Sequence, residues 1–426
     1  MPMKGARWVA AGLVDQIVIA AANAGLTLLA ALLINPDWRA GELLLSLSLG
    51  YLVLGLNREF IGNVLLAQVS RLAGADRDRM VRNALAAAFT VGVTASVVLL
   101  AVWAFWRHPV PKSDLRDLIW LAPFLPVILL HDTGRYVYLS AREPARALVI
   151  DLIWLGTQVC AVLTGAALFG VRPGLLPVSW GLGAVAGATA FLIRTRVKVW
   201  RGDPRRWLAE TRRLSGWFTA TGVIGQLQVQ AVGFLVTGQL TPAQLKDLRA
   251  GQTTLLQPVQ NFATAMMGLL VPRSSRLAGE GDAAGLRRQT VRVAGAFVGL
   301  AAVTIAVLVP VAHLVIRHVP KLEHIGPLIL PISIQSGIYL VQIPFAAAIR
   351  GMQRGRLLFT QYAIFTATSL TGLVIGADTA GLTGAGWGLM TGSATGLAVF
   401  IALYFWAVTE VSPESTENKN ASPASK

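Results

Sequence analysis

The chain has 426 residues, 54% hydrophobic and only 14% charged, with 37 Lys and Arg against 21 Asp and Glu, a formal net charge of +16. That balance and a mean hydropathy of +0.59 exclude an ordinary soluble domain and point to a polytopic membrane protein. A single cysteine, Cys160, excludes an internal disulfide and Cys-based metal or redox centres.

A helix needs about 20 apolar residues to cross a bilayer. By that measure the predicted spans fall near 8–34, 43–69, 84–106, 117–139, 148–170, 175–193, 214–239, 251–272, 291–316, 326–349, 357–376 and 383–408. The first is too long for a signal-peptide core and reads as a retained helix. The expected fold is an all-α integral membrane protein of twelve helices in two six-helix lobes. The lobes take residues 1–200 and 214–410, joined by a cytoplasmic linker loop at 201–213 and followed by a disordered cytoplasmic tail at 411–426. Gly202-Asp203-Pro204 supplies the turn signal in the linker.

Lys and Arg crowd every second connection. Arg71, Arg77, Arg79 and Arg82 follow the second span, the run from Arg194 to Arg213 follows the sixth, and Arg273, Arg276, Arg287 and Arg288 follow the eighth. This asymmetry places both termini inside. It also separates the basic residues into topology signals instead of one stripe, so nucleic acid is excluded as a partner. The Arg194–Arg213 stretch is where anionic headgroups of the lipid bilayer would be held.

Two short repeats link the halves. Ser70-Arg71-Leu72-Ala73-Gly74 recurs as Ser275-Arg276-Leu277-Ala278-Gly279, and Ala141–Arg146 matches Gly351–Arg356. Repeats in the same orientation imply a pseudo-two-fold axis along the membrane normal and a substrate path between lobes.

Arg58 and Glu59 stand inside an apolar stretch, and a charge at the bilayer centre costs at least about 2.5–3.5 kcal/mol. Counted from Arg71, Arg58 lies roughly 20 Å up the helix, near the midplane. Gly55 and Gly62 share its face and leave space for a ligand or another helix. Glu59 points about 100° away, so each charge should meet another element. Asp15, Asp132, Arg135 and Asp151 lie in spans of the same half, nearer the inner side. The structural alternative is a set of ion pairs, Asp15 with Arg58 or Asp132 with Arg135. Asp151, near a helix start, reads as structural.

The second half carries amides instead. The repeat offset of 205 sets Ala263 and Thr264 opposite Arg58 and Glu59, while Gln228, Gln252, Gln257, Gln260, Asn261, Gln335, Gln342 and Gln361 populate the spans. Amides suit hydroxyl-rich ligands, and they also serve as interhelical bonds. There is no phosphate-binding Gly-rich loop with Lys and no His-Glu-x-x-His, so the chain does not read as an enzyme and no bound cofactor is expected.

Leu54–Gly62, His131–Tyr136 running into Ala141–Asp151, and Leu248–Leu256 resemble the polysaccharide flippases of the multidrug/oligosaccharidyl-lipid/polysaccharide exporter superfamily, of the high-GC Gram-positive type. The resemblance covers essentially all twelve spans. It implies a bacterial plasma-membrane flippase that carries an undecaprenyl-pyrophosphate-linked oligosaccharide outward by alternating access, beside a glycan polymerase or glycosyltransferases. Arg58, Arg135 and Arg249 would then meet pyrophosphate or acidic sugars, and Gln252, Gln257 and Asn261 the glycan. Asp15, Glu59 and Asp132 are candidates for H⁺ or Na⁺ coupling. His131 stands where Gln is expected and Asn63 where an acid is frequent, which leaves the coupling ion open. The alternatives are a multidrug or other small-molecule antiporter and a non-transporting partner in envelope assembly.

Overall fold

The computed structural model describes residues 37–106, 117–236, 240–318 and 320–411, together with Gly12, Val14, Asp15, Val18, Ala22, Gly25, Leu26, Leu29 and Ile34. Most of the first expected span, the connection at 107–116 and the tail beyond Val411 lie outside the described residues. The helical positions between 12 and 29 belong to α1. They are followed by α2 (37–71), α3 (Gly74–Trp106), α4 (118–140), α5 (Pro144–Phe169) and α6 (Leu175–Thr195). The second half holds α7 (Pro204–Leu235), α8 (242–279), α9 (Ala283–His318), α10 (320–351), α11 (355–379) and α12 (382–409). Among the described residues, 7 helical stretches are long and apolar enough to cross a membrane. The chain is a multi-pass integral membrane protein.

Two compact units divide at Gly216 and Trp217, inside α7. The expected linker at 201–213 is therefore mostly helix, because Pro204 starts α7 at the position where its missing N–H costs nothing. Asp203 Oδ1 caps that start, accepting from the backbone N–H of Arg205 at 2.9 Å and Arg206 at 3.2 Å. Thr241 does the same for α8, in a capping box with Gln244.

In unit 1 the core is built from Leu43, Leu47 and Leu54 of α2, Ile128 and Leu129 of α4, Trp154 of α5, and Leu176, Trp180 and Ala184 of α6. Helix α4 is the central element, packed against α2, α3, α5 and α6, with almost every residue from Ile128 to Ser140 buried. In unit 2, Leu248, Leu255 and Leu256 of α8 pack with Leu328 and Ile332 of α10, Leu373 of α11 and Leu389 of α12. Helices α11 and α12 are separated by a reversal at Ala380 and Gly381 (φ +57°). They then close on a glycine seam, where a Cβ on Gly388 would lie 2.0 Å from the Gly372 carbonyl oxygen.

The second repeat has a clear backbone meaning. Arg142 and Gln353 both adopt φ +61°, and the next residues, Glu143 and Arg354, donate to the carbonyls of Tyr138 (2.9 Å) and Ile349 (3.2 Å). These are the same left-handed helix stop, which relieves orphan carbonyls. The equivalence runs Arg142 to Gln353, one residue beyond the match read from the letters. The first repeat is not conformational: Leu72 is extended after a 3₁₀ turn, whereas Ser275–Gly279 continues α8.

Candidate functional site

Six side chains from four helices of unit 1 form one charged cluster in an otherwise apolar core. Helix α4 supplies His131, Asp132 and Arg135, spaced to share a face. Helix α2 adds Arg58, α1 adds Asp15 and α5 adds Asp151. Arg58 grips Asp132 with one edge of its guanidinium: Nε donates at 3.1 Å to each carboxylate oxygen and Nη2 at 2.8 Å to Oδ1. Arg135 is enclosed by three carboxylates. Its Nη2 lies 3.0 Å from Asp15 Oδ2, its Nε 3.0 Å from Asp151 Oδ2, and its Nη1 3.7 Å from Asp132 Oδ1. His131 Nε2 is 3.3 Å from Asp151 Oδ1, and its ring stacks on Trp154 at 5.7 Å.

Such a cluster is tolerated only because its members neutralise one another. Two guanidiniums oppose three carboxylates, which leaves one negative charge over. A proton or a cation taken into the cluster brings it to neutrality. Beside these groups lies a cavity of about 20 Å³, lined by Arg58, His131, Asp132, Arg135, Asp151 and the apolar Leu54, Ile128, Trp154, Trp180 and Ala184. It has room for a water or a small cation. The side chain of Arg58 is 26% exposed and that of Arg135 only 3%, so Arg58 is the cluster's outward-reaching cation.

The backbone of α2 changes where this charge sits. Residues Arg58–Gly62 form a π-turn, with the Asn63 N–H donating to the Arg58 carbonyl five residues back, a distortion that recurs at functional sites. The second helix of the other half has its own, at Gln252–Leu256. In an ideal helix, Gln252 and Asn261 would point to roughly opposite sides. The extra residue absorbed by the π-turn takes back about 100°, which gathers Gln252, Gln257 and Asn261 onto one sector of α8. Gln257 Nε2 donates to Asn261 Oδ1 at 3.5 Å, and Arg249, one turn earlier, donates to the Val229 carbonyl at 3.0 Å.

No family model matches the sequence, and no curated protein matches it. Solved structures do match. A multidrug resistance MATE family transporter of the MOP superfamily, in an outward-facing conformation, superposes with a TM-score of 0.82 at 12% identity, covering 95% of each chain. The Vibrio cholerae MATE transporter VcmN, as its D35N mutant, gives 0.79 at 14% over 95% of this chain and 96% of that one. A MOP superfamily transporter from Pyrococcus furiosus gives 0.77 at 13% over 95% of both. The chain has the MATE transporter fold.

Within this MATE fold the residues singled out from the sequence divide into two sets. Asp15, Arg58, Asp132 and Arg135 meet in the unit 1 cluster: of the two pairs offered, Asp132–Arg135 is present at 3.7 Å, and in place of Asp15–Arg58 stand Arg58–Asp132 and Arg135–Asp15. The reason is register. Asp132 lies one turn before Arg135 on α4 and faces α2, which leaves Arg135 to reach α1 and α5. Glu59 accepts from Asn63 Nδ2 of its own helix at 2.8 Å. The space expected beside Gly62 is filled by Tyr136, whose ring would lie 2.9 Å from a Cβ there.

Arg249, Gln252, Gln257 and Asn261 belong to unit 2 and form the α8 stripe. Several other amides hold helices together: Gln335 and Gln342 donate to Ser393, at 3.0 and 2.9 Å, and Gln361 donates to the Gly396 carbonyl at 3.1 Å. Two cluster members lie outside the residues singled out for binding or coupling: His131, which precedes Arg135 by one turn on the same face, and Asp151, whose reading as structural does not extend to its contact with Arg135.

Proposed function

We propose that the chain is a membrane transporter working by alternating access, and that its cargo is an undecaprenyl-pyrophosphate-linked oligosaccharide moved outward across a bacterial plasma membrane for envelope polysaccharide synthesis. The transporter reading is supported by a MATE fold shared over nearly the whole chain. The observation that carries the substrate class is the Arg58–Asp132 pair, an outward-reaching guanidinium held by a carboxylate that has a second cation 3.7 Å away. An incoming pyrophosphate takes Arg58 in a bidentate bond of the same kind. Asp132 then turns to Arg135 or takes up the coupling proton. Substrate anion and coupling proton thus take opposite members of one pair, which links loading to coupling. The α8 stripe offers amide donors and acceptors to the glycan. Glycosyltransferases or a polymerase would supply and consume this cargo.

A second reading, an antiporter of organic cations, is favoured by the similar fold of the multidrug resistance MATE family transporter. Here the surplus negative charge of the cluster, instead of Arg58, would meet the cargo. The test uses full-length protein in proteoliposomes loaded with a pyrophosphate-linked glycolipid. Arg58→Ala lowers flipping by about ten- to a hundredfold, the worth of one charge-assisted bond, Arg58→Lys retains part of it, and Asp132→Asn makes flipping independent of the pH gradient. Wild-type flipping by Arg58→Ala refutes the pyrophosphate role, and transport of organic cations without glycan flipping establishes the second reading.

A further inference from the structure

At one end of unit 1, away from the charged cluster, the start of α3 and the connection from α6 to α7 enclose a cleft of about 510 Å³ lined by Asp78, Arg82, Thr195, Arg196, Val197, Lys198 and Arg201. Four cations face one carboxylate. Among the described residues none of these four cations has a carboxylate within ion-pair distance, although their neighbours do: Arg79 pairs with Asp76 at 3.0 Å and Arg206 with Glu210 at 2.8 Å. Four mutually repelling positive charges around one opening are stabilised by an anion between them.

The cleft is built on fixed backbone. Asp203 donates its N–H to Asn83 Oδ1 of α3 at 2.9 Å, and Gly202 lies so close to α3 that a Cβ there would be 2.2 Å from the Arg82 carbonyl oxygen. Arg196 closes α6 in the left-handed conformation at φ +54°, a position usually given to glycine. The surroundings are those of a membrane boundary. Both α6 and α3 are long enough and apolar enough to span, and the cleft joins the last residue of one, Thr195, to the first turns of the other. Trp200, between Lys198 and Arg201, is 80% exposed, and Ile193 is 72% exposed. An uncovered Trp beside unpaired Lys and Arg at the end of a span marks headgroup depth.

We propose that this cleft binds a phosphate group, and that the phosphate is the headgroup of an anionic phospholipid whose acyl chains run down past Ile193 while Trp200 lies at the interface. Its volume suits a phosphoglycerol-sized ligand, and Arg82, Arg196, Lys198 and Arg201 supply donors from both walls.

The test is retention of phosphatidylglycerol by the purified full-length protein, read by native mass spectrometry, with phosphatidylcholine and inorganic phosphate titrated alongside. Wild-type protein holds phosphatidylglycerol in preference to phosphatidylcholine, and increasing salt weakens the binding. The double variant Lys198→Gln with Arg201→Gln, both exposed and free of ion pairs, binds at least about tenfold more weakly, as expected for the loss of charge-assisted bonds. Arg205→Gln with Arg212→Gln, which removes the same charge outside the cleft, leaves binding unchanged. If inorganic phosphate binds as tightly as the lipid, the site takes free phosphate and the lipid assignment is overturned. Equal retention of phosphatidylglycerol by the cleft variant and the control overturns the site itself.

Discussion

Replacing Arg135 by methionine tests the charge inventory of unit 1 most directly. Its guanidinium lies within 3.0 Å of Asp15 and of Asp151 and within 3.7 Å of Asp132, and both Asp15 and Asp151 are fully buried at 0% exposure. Methionine fills much of the same volume but removes the cation that Asp15, Asp132 and Asp151 share. Removing one partner from a buried ion cluster costs about 3–5 kcal/mol, and for a unit of 216 residues this is a fall in Tm of roughly 6–20 °C.

Adding Asp15→Asn and Asp151→Asn removes the stranded charges and recovers most of the loss. The assay is thermal unfolding of purified full-length protein. A Tm within about 2 °C of wild type for Arg135→Met, or no recovery in the triple variant, would refute the inventory of two cations against three carboxylates.

Two further substitutions test packing and capping. Gly187→Ala places a Cβ 2.5 Å from His131 Cδ2 and 3.2 Å from the Ile150 carbonyl oxygen, so it should cost about 1–3 kcal/mol through overpacking. Gly156→Ala, in open space on α5, should be neutral or stabilise by up to about 1 kcal/mol through helix propensity. The two are compared by Tm in the same detergent. Asp203→Ala removes both bonds at the start of α7 and should cost about 1 kcal/mol, with faster hydrogen exchange confined to the first turn of that helix; exchange unchanged at Arg205 and Arg206 would refute the cap.

Much of the architecture was legible because a bilayer forces it. Apolar stretches of span length, basic connections between them, and Gly or Pro at the breaks are local properties, so the two-span reading of 357–376 and 383–408 survives even though α11 and α12 are joined by a reversal of only two residues. Helix starts were less legible. Pro204 begins α7 well before its apolar stretch, because backbone hydrogen bonding continues into water where hydropathy does not. The left-handed stop shared by Arg142 and Gln353 shows how the two halves correspond in backbone, one residue away from where similar letters suggested.

The candidate site divides along the same line. The sequence by itself determined that the N-terminal half carries buried charge and the C-terminal half amides, since composition decides which groups must be satisfied in an apolar medium. It determined that Asp132 and Arg135 share a face, since helical periodicity is local. Only the tertiary structure decided that Arg58 belongs to Asp132 and Arg135 to Asp15 and Asp151, because pairing depends on the register between helices far apart in the chain. It alone joined His131 and Asp151 to that cluster, and it alone placed the π-turns that give Arg58 its setting and align Gln252, Gln257 and Asn261. A one-residue change in hydrogen-bond register leaves no trace in hydropathy, yet it turns every later side chain on that helix by about 100°.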